Sequence, residues 1–259
     1  MRSIVSRLEC FAPTFAGRLK KAARFLFRTP DPFVNMYRHG APVQPPFHGQ
    51  YGQDQTFHEE LFGGRKGGVF VDVGAHDGVS FSNTLFFERE LGWRGLCVEP
   101  IPEIFDALKK NRSAICVRAC VARKSGSKKF LRVRGYAEML SGMLDSYDPR
   151  HAARVRQEVQ EAGGSMETID VPSVRLDELF RKHGMETIDL LCIDVEGAEI
   201  EALASFESDQ FRPSVICIEN NYLDPRIWRA LRRAKYRPYA RIRQDEIYLS
   251  HEFRLTHST

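Results

Sequence analysis

Two stretches of the chain concentrate residues able to do chemistry. In Val71-Asp72-Val73-Gly74-Ala75-His76-Asp77-Gly78 an apolar run gives way to a glycine turn. Glycine lets a backbone approach a ligand closely. Asp72 and Asp77 add negative charge there, which suits a cationic sulfonium or ammonium group and repels a pyrophosphate. A dinucleotide G-x-G-x-x-G turn would need glycine where His76 stands, so nicotinamide redox chemistry is disfavoured. Glu99, followed by Pro100, ends the next apolar run, where an acid can accept both hydroxyls of a ribose.

The second stretch is Asp194-Val195-Glu196-Gly197-Ala198-Glu199, echoed by Glu219-Asn220-Asn221 one run later. If the two runs are neighbouring strands, Asp194 and Glu219 lie side by side. Such a pair can take a proton from a hydroxyl nucleophile, with Glu196 assisting, or hold a hard divalent cation. Helix capping by Asp194 or Glu196 is the plainer use of the same residues. His48, His58 and His151 have no partner assignable from sequence and read as surface histidines.

The elements that must position these residues follow from periodicity. Val69–Val73, Leu96–Glu99, Ala114–Val117, Ile188–Val195 and Val215–Glu219 are short apolar runs of the kind found in parallel strands covered on both faces. Helical segments separate them. One opens at Pro102, one carries Leu176, Leu179 and Phe180, one carries Ile200 and Leu203, and one follows the Asp224-Pro225 cap. Alternation of this kind predicts a doubly wound α/β domain with a mostly parallel sheet. Tyr236–Ile242 and Glu246–Leu249 read as an antiparallel closing pair. Residues 123–174 interrupt the alternation, with strands at Phe130–Val133 and Ile169–Val174 around a helix at Pro149–Glu161. An insertion of that length near strand ends suits a substrate wall.

Residues 1–50 read as a separate extension. Arg18–Arg28 forms a basic amphipathic helix, for which packing on the domain is favoured over membrane contact, and a proline-rich connector follows. The domain proper is expected over 51–259. At 259 residues, 42% hydrophobic and 28% charged, the chain has the composition of one globular core. A net charge of +4 is too mild for a dedicated nucleic-acid binder. The six cysteines show no C-x-x-C spacing, four lie in apolar runs, and no stretch approaches the ~20 apolar residues of a membrane span. A cytoplasmic location is the expectation.

Taken together, Tyr51-Gly52-Gln53-Asp54, Asp72 to Gly78, Leu91–Pro100, Leu176-Asp177-Glu178-Leu179, Ile193 to Glu199 and Ile218 to Tyr222 resemble the FkbM family of methyltransferases, in order and spacing. The resemblance implies a seven-stranded class I methyltransferase sheet of order 3-2-1-4-5-7-6, with S-adenosylmethionine as methyl donor. It places Asp72, Gly74, His76, Asp77 and Gly78 around the methionine part, Glu99 and Pro100 at the ribose, and Val121 and Ala122 at the adenine. His76 stands where asparagine is more usual. Acceptors in such families are hydroxyls on sugars, glycans or secondary metabolites, with Tyr51, Gln53, Asp54 and residues 136–160 as candidate pocket walls. Related enzymes bind Mg²⁺ through strand-end acids, which nominates Asp194, Glu219 and Asn220 as metal ligands. An amine acceptor on protein or RNA, or a cofactor-binding scaffold without catalysis, are the rival readings.

Overall fold

The computed structural model describes residues 31–255. The basic helix expected at residues 18–28 lies outside the described residues. The chain divides into two units, Met1–Pro32 and Phe33–Thr259, and every described strand and helix belongs to the second.

Its strands are β1 (Tyr37–Arg38), β2 (Val69–Val73), β3 (Arg94–Val98), β4 (Ile115–Val117), β5 (Cys120–Val121), β6 (Gly126–Arg134), β7 (Gly142–Met143), β8 (Ser165–Val174), β9 (Leu190–Ile193), β10 (Val215–Glu219), β11 (Tyr236–Ile242) and β12 (Asp245–Ser250). The helices are α1 (Gln53–Thr56), continued as a wider turn over Phe57–Phe62, α2 (Leu85–Leu91), α3 (Pro102–Asn111), α4 (Pro149–Ala162), α5 (Leu176–Lys182), α6 (Glu199–Leu203) and α7 (Pro225–Arg233).

The main sheet is mixed and eight-stranded, in the order β1-β11-β12-β10-β9-β2-β3-β4. Strands β10, β9, β2, β3 and β4 run parallel, and β12 lies antiparallel between β10 and β11. Tyr37–Arg38, in the stretch read as a connector, pairs parallel with β11 and makes the eighth strand. The closing pair is therefore not left as a bare edge.

Alternation along the strands builds a core on each face. Val71, Val73, Leu191, Ile193, Ile216 and Ile218 pack with Leu176, Phe180, Ala202, Ile227 and Leu231 of α5 to α7. Phe70, Leu190, Val215 and Leu249 pack on the other face with Phe57, Leu61, Phe86, Phe87 and Leu108. Cys97, Cys192 and Cys217 belong to that second face, and all are free thiols. At full burial each of these large side chains contributes ~1.5–3 kcal/mol.

The interrupting stretch forms a second sheet, β5-β8-β6-β7, with α4. Asp148 caps α4 by accepting from the Arg150 amide at 2.8 Å. No helix among the described residues is long and apolar enough to cross a membrane.

Candidate active site

The carboxyl edge of the main sheet sets the geometry. Val98, Val73, Ile193 and Ile218 share one register row across β3, β2, β9 and β10. The next row therefore reads Glu99, Gly74, Asp194, Glu219, and Asp245 of β12 pairs with Glu219. Gly74 has φ +85°, and a Cβ there would lie 1.7 Å from the Asp194 carbonyl oxygen. Only glycine permits that approach. Above the row opens a cavity of about 280 Å³, walled by strand ends, by Tyr51, Phe81 and Ile101, and by Glu138 to Ser141 of the interrupting stretch.

At one end, Glu99 is buried and accepts from the Ile101 amide at 2.8 Å through one carboxylate oxygen. Burial, opposed by backbone donors, pushes its pKa up to about 7. Pro100 and Val121 line the cavity beside it. Asp72 lies on the floor, but Thr84 Oγ1 donates to it at 2.6 Å, and Arg112 Nη1 stands 3.9 Å away. Burial raises Asp72 while Arg112 and Thr84 pull it back. It thus also braces the loop that leads into α2.

His76 lines the cavity in a left-handed conformation, φ 49°. Its Nδ1 is 3.7 Å from Asp77 Oδ1 and its Nε2 is 3.5 Å from Glu138 Oε1, yet neither nitrogen makes a hydrogen bond. Three residues expected at the cofactor do not line the cavity. Asp77 turns away to accept from the Val79 and Ser80 amides, each at 2.8 Å. Those donors, against the cost of burial, hold it below its usual value. Gly78 packs on Arg112 and Leu108, and the Ala122 amide donates to the Val174 carbonyl in the core of the second sheet. After the glycine turn the next helix, α2, begins only at Leu85, and the intervening loop takes up the Asp77 carboxylate.

The other end gathers acids. One oxygen each from Asp194, Glu196 and Glu219 lies within 4.8 Å of the others. Asp194 meets solvent in the cavity but has protein on all sides. That crowding, with Asp245 nearby, raises it to about 7 despite its contact with Glu219. Glu196 and Glu219 are pushed up by burial and by the neighbouring carboxylates. Glu196 adopts φ 51°, a conformation costly for a side-chain-bearing residue, and its buried Oε2 has no hydrogen-bond partner. His151 Nδ1 stands 3.4 Å from that oxygen, while its Nε2 is 3.1 Å from the Leu140 carbonyl.

Several expectations change here. His151 is fully buried against the acids rather than on the surface, because α4 packs over them. His58 is half-buried against Phe86. Asn220, nominated as a ligand, has its side chain engaged elsewhere. Its Oδ1 accepts from the Asp224 amide at 2.6 Å and its Nδ2 donates to Glu246 at 3.0 Å, so it braces α7 and β12. Tyr51 lines the cavity, but Gln53 and Asp54 are buried behind it, Gln53 donating to Asp245 and Asp54 accepting from the His48 amide. Sequence reasoning misses Asp245. The signal is present, since an antiparallel return strand brings its first residue to the edge where β10 ends.

Among known proteins, Methyltransferase sdnD of Sordaria araneosa is 27% identical over 161 residues, 54% of this chain and 61% of that protein. The chain thus spans less than two thirds of that relative. The crystal structure of methyltransferase FkbM from Methylobacillus flagellatus KT aligns with a TM-score of 0.41 at 14% identity, over 76% of this chain and 50% of that one. A TehB-like SAM-dependent methyltransferase from Corynebacterium glutamicum aligns with a TM-score of 0.40 at 12% identity, over 78% of this chain and 88% of that one. The sequence profile of the methyltransferase FkbM domain matches residues 72–238. That span runs from Asp72 on the cavity floor into β11 and takes in the whole strand-end row except Asp245, so the chain belongs to the FkbM methyltransferase family.

Proposed function

We propose that the chain transfers the methyl group of S-adenosylmethionine to a hydroxyl oxygen of a small-molecule or glycan acceptor. The observation that carries this is the strand-end row, with a ribose-competent acid at Glu99, a glycine at Gly74 beside it and an acid at Asp194 that lines the cavity. The strand order β4-β3-β2-β9-β10-β12-β11, with β1 added outside, supports this reading.

When bound, S-adenosylmethionine supplies a sulfonium methyl carbon already activated toward nucleophiles. Glu99 keeps one oxygen off its bond to the Ile101 amide and offers it to the ribose hydroxyls, with Pro100 and Val121 flanking the base. His76 and the Gly74 backbone border the methionine part. Asp194, held near neutrality by its surroundings, takes the proton of the acceptor hydroxyl as that oxygen attacks. Alignment and exclusion of water complete the chain's task. The mild net charge disfavours RNA, and the pair of acids at Asp194 and Glu219 weighs against a scaffold without catalysis.

A second reading is favoured by the closeness of the Asp194, Glu196 and Glu219 oxygens, hard donors that fit a divalent ion such as Mg²⁺. That ion would polarise the acceptor oxygen. Calorimetry with S-adenosylhomocysteine, NAD⁺ as control, tests the cofactor. A folded protein that ignores S-adenosylhomocysteine ends the proposal. Loss of methyl transfer in chelator, restored by Mg²⁺ or Mn²⁺, selects the second reading, and activity that survives chelator leaves Asp194 as the direct base.

A further inference from the structure

We infer that the acceptor carries an ammonium group beside the hydroxyl that is methylated, and carries no phosphate or carboxylate. This rests on the function proposed above, and specifically on Glu99 marking the cofactor's half of the row.

Four carboxylates converge on the remaining half: Asp194 after β9, Glu196 in the following loop, Glu219 at the end of β10 and Asp245 at the start of β12. Among the described residues no arginine or lysine forms an ion pair with any of them. Arg154 is the one basic side chain of lysine or arginine type among the described residues of the cavity wall; its guanidinium is held by Glu158 at 2.7 Å, and its charge acts on Glu196 without an ion pair.

Donors are equally scarce. A carboxylate only accepts hydrogen bonds. Gln53 serves Asp245, the buried Glu196 Oε2 makes no hydrogen bond although His151 Nδ1 stands 3.4 Å away, and the Asp194 and Glu219 side chains meet only each other. Buried polar atoms left this way are ordinarily completed by a ligand or by water. The ligand for this half must therefore bring donors. A hydroxyl brings one, while an ammonium brings three together with the charge that relieves repulsion among the acids.

The donor's sulfonium does not meet this demand. It belongs over Gly74 and Asp194, and the row continues two strand spacings further, ~10 Å, to Asp245. An ammonium gripped by carboxylates also keeps its proton and is no nucleophile. Methylation then falls on the neighbouring oxygen. A phosphate or carboxylate on the acceptor would face the same acids with the wrong sign.

The test uses the full chain loaded with S-adenosylhomocysteine, whose binding is measured first. Ligand-observed NMR then compares three sugars: 2-amino-2-deoxyglucose, its N-acetyl amide and glucuronate. The amine should bind at least about tenfold more tightly than the amide, with glucuronate not binding. Asp245→Asn or Glu219→Gln should reduce the preference for the amine to about threefold or less while S-adenosylhomocysteine affinity holds. Equal affinity for amine and amide, preference for glucuronate, or no binding by the amine overturns the inference with the methyltransferase reading intact. Failure to bind S-adenosylhomocysteine overturns that reading, and the inference with it.

Discussion

The two ends of the strand-end row are built on opposite terms. Around Glu99 the polar groups are answered by backbone, the Ile101 amide on the carboxylate and the chain turning at Pro100. Around Asp194, Glu196 and Glu219 the acids face one another, in part without donors, and one sits on a left-handed backbone. The first end is partly answered by backbone before anything binds, with one Glu99 oxygen and both His76 nitrogens left open. The second holds unsatisfied charge, an arrangement that costs stability and is found where a ligand or a reacting group completes it.

The contrast can be broken by isosteric changes. Asp194→Asn and Glu219→Gln should lower methyl transfer by about 10²–10⁴, the range for a positioned acid–base group, while sparing S-adenosylhomocysteine affinity. Turnover assays paired with calorimetry separate the two. Near wild-type turnover in both variants would remove these acids from the catalytic assignment. Glu99→Ala should do the reverse, weakening S-adenosylhomocysteine by about 1–3 kcal/mol through loss of a charged hydrogen bond. Unchanged affinity in a folded variant would remove Glu99 from the site.

Protons sharpen the comparison further. Glu99 and Asp194 stand at about 7 and Asp245 at about 6, all above their unfolded values. An acid raised by folding binds more protons in the native state, so its contribution is greatest below its unfolded value and is lost as pH climbs through the folded one. The ligand-free protein should therefore melt at lower temperature near pH 8 than near pH 5. Scanning fluorimetry at fixed ionic strength should show the slope flattening more in the Asp194→Asn/Glu219→Gln double variant than in Glu99→Gln. A melting temperature that rises over this window would contradict the crowding described here. The smallest effect on ligands is expected at Asn220. Asn220→Ala should cost stability by about 1–2 kcal/mol, for the bonds it gives Asp224 and Glu246, and leave S-adenosylhomocysteine affinity unchanged.

Much of the sheet is legible in the sequence because buried parallel strands are continuous apolar runs cut off by glycine or acid. Val69–Val73, Val215–Glu219 and Tyr236–Ile242 read to the residue for that reason. Strand β1 does not, since two residues in a proline-rich stretch carry no period and owe their pairing to β11 alone. Strands β6 and β8 extend well past their apolar centres. Lys128, Lys129, Glu167 and Asp170 hide the alternation in an exposed ribbon, where Lys129 pairs with Asp170. Within the site, residues fixed by strand ends are readable. Those brought by register or docking, Asp245 and His151, are not, because no local pattern says which distant element packs on them.

The row also measures. Glu99 to Asp194 spans two strand spacings and Asp194 to Asp245 two more, each half ~10 Å, with no hinge between, since the same hydrogen-bonded ladder carries all five positions. A sheet edge is a stiff scale, and its graduations shift only if a strand slips by a whole residue. The breadth left to the acceptor is thus set by the spacing of β-strands, independent of side-chain chemistry: room for about one six-membered ring and its substituents. Larger acceptors would have to leave the row by its open side, past Phe81 and the Glu138–Leu140 turn, so reach along the edge and length off it are governed by different parts of the chain.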